Sequence, residues 1–394
     1  LLRYVVAAIG LVYFFSDGED RYVATVVPAN LCASLLSWED RITQFLAQSG
    51  TLVFMAWTTS RQTWRDRHWS TVESVFIHHP RACITLISSS LDKIFFQPLS
   101  QRGYCVEVIQ ITPQLASTCG FYAGPLSEQW LHHVSVVKSK YFYTHWTDYL
   151  RYVLLNRFGG IFLDADAVIL QPLPSQGAYV GRDHVNVDRC HWCPQDTLTL
   201  RNYYIAPGVI ISEKGLFSTL IEETFRVETY NRSCFNCVGP LAFTNFILLH
   251  GERFQILPEH YFYPLDYEDI HAVFAESLEA SATSQILRYG SLSLHLYGHV
   301  TRKLTVHRKS VLHQLFQLQS FVRPESVSTY WCRVQDPTCR GKSRRHSEVK
   351  IKSFGPIVYS HVKNKIFTGP SAVIVRSSHV GNFATVSIEV LLSE

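Results

Sequence analysis

The chain has 394 residues, of which 47% are hydrophobic and 17% charged. That is enough apolar material for one large domain or two ordinary ones, and it excludes a disordered chain. The formal net charge of +4 is small for this length and gives no basis for nucleic-acid binding.

The N-terminal run LLRYVVAAIGLVYFF is apolar from Tyr4 to Phe15 apart from Gly10. It is too short to cross a bilayer, which takes roughly 20 residues, but it fits the end of a longer apolar segment. Arg3 on one side and Asp17, Glu19 and Asp20 on the other would put the bulk of the chain on the non-cytoplasmic side. Residues 1–15 are therefore expected to be the end of a signal anchor. The alternative is a buried helix or strand of the main domain. Residues 16–50 show no strong period and read as a stem.

From there, strands and helices alternate. TLVFMAW (51–57) is a buried strand closed by the polar turn TTS. WSTVESVFIHHP (69–80) has helical spacing at Val72, Val75, Phe76 and His79, and Pro80 ends it. ACITLIS (82–88) and CVEVIQI (105–111) are further buried strands. This alternation predicts an α/β domain with a largely parallel sheet. KYFYTHWTDYLRYVLLNRFGG (140–160) carries the longest helical stripe, ended by Gly159 and Gly160. Asp148 and Arg151, three apart on it, share a face.

The short strand IFL (161–163) then delivers Asp164 and Asp166 to its C-terminal end, where open α/β sheets bind ligands. Separated by Ala165, the two carboxylates point the same way in an extended segment. Two carboxylates on one side repel unless a cation lies between them. Oxygen ligands suit Mg²⁺ or Mn²⁺, which commonly complete their shell with substrate phosphates. The alternative is a solvated turn.

Ten cysteines, at 32, 83, 105, 119, 190, 193, 234, 237, 332 and 339, together with an Asn-Arg-Ser sequon at Asn231, point to the secretory route and to disulfides. The two C-x-x-C pairs, Cys190/Cys193 and Cys234/Cys237, also have zinc-site spacing. The compartment argument favours disulfides. The basic run CRGKSRRHSEVKIK (339–352) reads as a solvated linker, and GPIVYS, SAVIVRS and FATVSIEVLL beyond it read as short strands.

TDYLRYVLLNRFGGIFLDADAVILQPL (147–173) resembles the signature of DXD-containing sugar transferases related to α-1,4-galactosyltransferase. FMAWTTS, STVESVFIHHPRACITLISSSL, PGVIISEKG, VGPLAFT, ILPEHYFYPL and SLHLYGH follow in that family's order, so the likeness covers roughly residues 51–320. It implies a GT-A fold, a Rossmann-like nucleotide-diphospho-sugar transferase domain over 51–325, followed by a linker and β-rich extension over 326–394. It implies a metal-dependent transfer of a hexose, galactose or N-acetylglucosamine, from a UDP-sugar to a glycan or glycolipid hydroxyl, with retention. It also implies a single-pass type II protein of the Golgi membrane with a lumenal catalytic domain.

By the same resemblance, Asp164, Asp166 and Asp148 form the catalytic set. Asp164 and Asp166 would hold Mn²⁺ or Mg²⁺, with His295 as third ligand and His299 as its rival. Thr59 and Ser60 would line the nucleotide site, Asp148 and Arg151 would meet the ribose or donor sugar, Gly160 would let the backbone approach substrate, and Gly239 and Pro240 would form a turn near the sugars. Each residue has a plainer alternative: a surface ion pair for Asp148 and Arg151, a helix cap for Gly159 and Gly160, a satisfied core histidine for His295, an ordinary turn for Gly239 and Pro240. The sequence departs from the family at Thr58, Ala165, Pro207 and the HLY of 295–297, which leaves sugar identity open. A sugar-binding protein of this fold without turnover is the alternative function. A metal-dependent phosphohydrolase would want further carboxylate ligands.

Overall fold

The computed structural model describes residues 12–16, 22–26, 32–48, 50–136, 139–183, 204–276, 290–319, 371–380 and 383–392. It divides into two units, Leu1–Val322 and Arg323–Glu394.

The first unit is organised by a seven-stranded sheet. Its strands are β3 (Leu52–Trp57), β4 (Cys83–Ser88), β5 (Cys105–Ile109), β6 (Gly160–Leu163), β8 (Tyr179–Asp183), β9 (Tyr204–Ser212) and β10 (Gln255–Leu257), in the spatial order β10-β8-β9-β6-β3-β4-β5. Only β9 runs against its neighbours; the remaining pairings are parallel. The expected α/β class with a mainly parallel sheet is what the structure shows. Strands covered on both faces need apolar residues at every position. β3 illustrates this: Val53 and Met55 enter one core, Leu52 and Phe54 the other.

Two long helices seen in the sequence cover the sheet. In α2 (Asp66–His78), Trp69, Val72, Val75 and Phe76 pack into the first core. In α3 (Phe142–Phe158), nearly every side chain from His145 to Leu155 is buried. Its last turn is closed by the Gly159 N–H donating to the Leu155 carbonyl.

Part of the expected stem folds otherwise. Residues Ala33–Ala47 form helix α1, whose Leu35, Trp38 and Ile42 are buried in the second core at spacings of three and four. Trp38 meets Phe158 edge-on at 5.4 Å between centroids, and Arg157 pairs with Glu39. A disulfide from Cys32 to Cys119 fastens the start of α1. Phe45 and Leu46 extend this stripe against the same core, so the helical period runs through the segment read as a stem.

Ahead of α1, β1 (Val12–Ser16) pairs antiparallel with β2 (Tyr22–Val26). Residues 1–11, most of the expected anchor, lie outside the described residues. Among the described residues no helix is long and apolar enough to cross a membrane. In the second unit, Ser371–Val380 and Phe383–Leu392 form an antiparallel hairpin in continuous register, matching the last two expected strands. GPIVYS and the basic run of 339–352 lie outside the described residues.

The cysteines at 32, 83, 105, 119, 234 and 237 pair as Cys32–Cys119, Cys83–Cys105 and Cys234–Cys237. For the second C-x-x-C pair this answers the choice between disulfide and zinc. Cys190, Cys193, Cys332 and Cys339 lie outside the described residues.

Candidate active site

A cavity of about 690 Å³, within the range of small-molecule sites, opens at the carboxyl end of β6. Three elements build its floor. Helix α3 supplies Asp148 and Arg151, one turn apart. β6 ends in Leu163, and the Asp164 N–H then donates to the Gly208 carbonyl of β9 at 2.8 Å, which fixes where the first aspartate leaves the sheet. The short strand β7 (Ala167–Ile169) pairs antiparallel with β11 (Ser293–His295), placing His295 opposite Ala167 and so beside both aspartates.

His295 Nε2 lies 3.5 Å from Asp164 Oδ2 and 3.4 Å from Asp166 Oδ1. Both are ion-pair distances at the long end of the hydrogen-bond range, and neither ring nitrogen makes a hydrogen bond of good geometry. His295 thus faces the two carboxylates of the cavity floor. Burial disfavours the imidazolium, but the carboxylates of Asp166, Asp164 and Asp183 outweigh it and raise the His295 pKa to about 8. A ligand atom from each of Asp164, Asp166 and His295 falls within 4.8 Å of the others. Two carboxylates and an imidazole with unspent donor capacity fit a divalent cation. His299, the rival ligand, lines the same cavity but stands outside this group.

Asp148 and Arg151 are not a surface pair, since both are 4% exposed. Arg151 bridges two carboxylates, Nη1 to Asp148 Oδ1 at 3.1 Å and Nη2 to Asp164 Oδ1 at 2.7 Å, with its guanidinium over the Phe162 ring. Burial pushes the Asp148 pKa up to about 7; Arg151 pulls it down, and Asp164 adds to the rise. For Asp164 the balance reverses: burial raises its pKa, but Arg151 and His295 hold it below the ordinary value. Asp148 Oδ2 is buried with no partner.

Gly239 explains how that carboxylate is enclosed. A Cβ there would stand 2.4 Å from Asp148 Oδ2, so only glycine lets the 237–241 segment close over it. Pro240 lines the cavity beside it. Gly160 is placed elsewhere. It begins β6, at the end of the strand away from Asp164, with φ +102°, and a Cβ would meet the Leu52 carbonyl oxygen at 2.7 Å. Its close approach is to β3. Thr59 and Ser60 follow β3 at the carboxyl edge but are exposed and do not line the cavity. Their side-chain contacts are local: Ser60 Oγ accepts from the Gln62 N–H, and the Thr59 and Thr63 hydroxyls meet at 2.9 Å, while the Thr59 carbonyl accepts from the Ser90 hydroxyl.

The register of β8 against β9 shifts between Val180 and Gly181, so residues 207–209 have no partner in β8. Pro207 falls in this bulge, where a missing N–H costs nothing. The Val209 N–H donates instead to the Tyr263 hydroxyl, which donates to the Ala206 carbonyl.

Several residues of the site carry no signal in the sequence. Tyr297 is the one non-glycine residue with positive φ (+46°) among the described residues, and its hydroxyl donates to Asp183 Oδ1 at 2.6 Å. That turn starts the one-turn helix α4 (Gly298–Thr301). The Gly298 N–H donates to Asp166 Oδ2, 132 positions earlier. Arg67 of α2 holds α4 from behind: Nη1 donates to the Thr301 carbonyl and hydroxyl, and Nη2 to the Leu304 carbonyl. Positive φ at a tyrosine and a buried arginine serving backbone carbonyls are products of the fold, with no spacing rule to betray them.

Comparison with known proteins gives two family matches in chain order. Residues 65–184 match the glycosyltransferase sugar-binding region containing the DXD motif, and residues 218–319 match the α-1,4-glycosyltransferase conserved region. The first contains Asp148, Arg151, Asp164 and Asp166; the second contains Gly239 and His295. An uncharacterized protein of Arabidopsis thaliana is 24% identical over 302 residues, 70% of this chain. The chain spans 43% of that relative's length. Among solved structures, the bifunctional glycosyltransferase WbbM aligns at 12% identity and TM-score 0.43 over 72% of this chain and 51% of its own. The galactosyltransferase LgtC, solved with donor and acceptor sugar analogs, aligns at 11% identity and TM-score 0.35 over 70% of this chain and 99% of its own. Overlays at such scores add nothing to the sheet order given above. The two family regions, consecutive and each holding part of one constructed site, support a DXD-containing glycosyltransferase related to the α-1,4-glycosyltransferases.

Proposed function

We propose that the chain transfers a hexose from a UDP-sugar to a hydroxyl of a glycan or glycolipid, with retention, using a divalent ion held by Asp164, Asp166 and His295. The observation that carries this reading is the His295 imidazole, aimed between two carboxylates with neither nitrogen in a hydrogen bond of good geometry. Mn²⁺ or Mg²⁺ there would neutralise the donor diphosphate and make it a better leaving group. The protein's own contribution is positional. Arg151 holds the Asp164 carboxylate in one orientation, and the Gly298 N–H holds that of Asp166. Asp148, enclosed by Gly239, presents a buried carboxyl beside the place where the donor sugar would lie.

Manganese as the ion, the UDP donor and a Golgi type II setting belong to this proposal. The resemblance, the disulfides and the apolar N-terminal run support it. A donor screen with UDP- and GDP-sugars, with and without Mn²⁺, tests it. Transfer or hydrolysis of a UDP-hexose that EDTA abolishes and Mn²⁺ restores is the expected result. A sugar-binding protein without turnover would instead bind glycosides and leave every donor intact.

A further inference from the structure

We propose that Phe235, standing edge-on to Tyr141 at the mouth of the cavity, is the platform on which the acceptor's sugar ring packs, and that the Cys234–Cys237 disulfide holds it there. The inference rests on the transferase reading of the cavity floor and names the acceptor side of the same site.

Eight large hydrophobic side chains are exposed among the described residues, and two of them, Phe235 at 42% and Tyr267 at 36%, line this one cavity. An exposed aromatic ring forgoes the stabilisation that burial would give it. Phe235 is nonetheless held in place rather than trailing in a loose loop. The disulfide closes the backbone on either side of Phe235 and Asn236. His145, fully buried on α3 one turn before Asp148, places Nε2 3.0 Å from the Cys234 carbonyl oxygen and Nδ1 2.6 Å from the Tyr230 hydroxyl. The Ser139 hydroxyl donates to the Arg232 carbonyl. Tyr141 meets the Phe235 ring edge-on, with centroids 5.3 Å apart.

The chemistry of this rim selects its occupant. Tyr141, Thr144, Ser233, Phe235 and Asn236 carry no formal charge, with Lys140 beside them, its ammonium 5.0 Å from the Tyr141 ring centroid, whereas the floor concentrates Asp148, Arg151, Asp164 and His295. A diphosphate belongs at the floor. A neutral pyranose has one face of C–H groups, which suits an aromatic ring, and a rim of hydroxyls, which suits the Asn236 amide.

The test uses the oxidised full chain and the variants Phe235→Ala, Phe235→Trp and Cys234→Ser/Cys237→Ser. Saturation-transfer NMR reads binding of methyl glycosides of galactose, glucose and N-acetylglucosamine, and calorimetry reads UDP binding with Mn²⁺. At least one glycoside should bind wild type and Phe235→Trp through its ring C–H protons. Phe235→Ala and the double serine variant should weaken that binding about tenfold, equivalent to about 1.4 kcal/mol, while UDP affinity stays within twofold. Equal glycoside binding by Phe235→Ala, or none by wild type, overturns the platform. Retention of binding by the double serine variant overturns the role of the disulfide. Failure of wild type to bind UDP overturns the transferase reading instead, and the glycoside result is read independently of it.

Discussion

The floor and the rim of the cavity are built on opposite terms. At the floor, charges are packed so densely that each is legible only through its neighbours: Arg151 spans Asp148 and Asp164, and His295 faces both DXD carboxylates. At the rim the lining side chains around Phe235 are uncharged, two aromatic side chains, Phe235 and Tyr267, are left to solvent, and the order comes from a disulfide and a histidine behind Phe235. Removing a floor residue therefore leaves an uncompensated charge. Removing a rim residue leaves a surface. The first should be felt in chemistry, metal affinity and stability together, the second in binding alone.

The sharpest break is Asp166→Asn, which keeps shape and removes a ligand charge. Transfer should fall on the order of 10²–10³-fold and Mn²⁺ binding should be lost, with a lowered melting temperature from the lost carboxylate facing His295 and an unchanged circular dichroism spectrum. An enzyme still active in EDTA would remove the ion from the floor. Next is Arg151→Ala. Breaking a buried pair leaves charges without a partner, and a loss of about 3–5 kcal/mol in urea unfolding is expected. A loss below 1 kcal/mol would show that water screens this cluster. Reduction of the disulfides should cost about 2–5 kcal/mol per bridge, with Cys32–Cys119, which closes an 87-residue separation, contributing most to the melting temperature. Gly239→Ala should destabilise by about 1–3 kcal/mol, because its Cβ is driven against Asp148; equal stability would mean the 237–241 segment shifts without strain.

The smallest effect concerns pH. In the metal-free protein the raised His295 pKa contributes stability that is fully present below 6.5 and lost as pH rises through about 8. Metal binding needs the neutral imidazole, so the ion gains what the proton loses. Mn²⁺ affinity should rise about tenfold per unit between pH 6.5 and 8 and level off above. A flat calorimetric profile across that window would remove His295 from the ligand set.

Much of the floor was legible beforehand because its residues sit on elements that local pattern identifies. The α3 stripe located Asp148 and Arg151 on one face, and the strand ending at Leu163 located Asp164 and Asp166. The resemblance, not the pattern, brought in His295. The role expected of Gly160 was displaced because a glycine at a helix–strand junction reads the same whether its close neighbour is a substrate or, as here, the Leu52 carbonyl.

What the sequence by itself determined is the set of strands and long helices, since burial on both faces demands continuous apolar runs and helical stripes that nothing else explains. It also determined the pair of carboxylates at a strand end. The tertiary structure alone decided that α1 belongs to the core, that the Asp148–Arg151 pair is buried, and that Gly298, on a helical turn held by Arg67, holds the second aspartate from 132 positions away. The physical reason is range. Periodicity reports neighbours within a turn or a strand, whereas the β7–β11 pairing and the Arg67 clamp join residues more than a hundred positions apart.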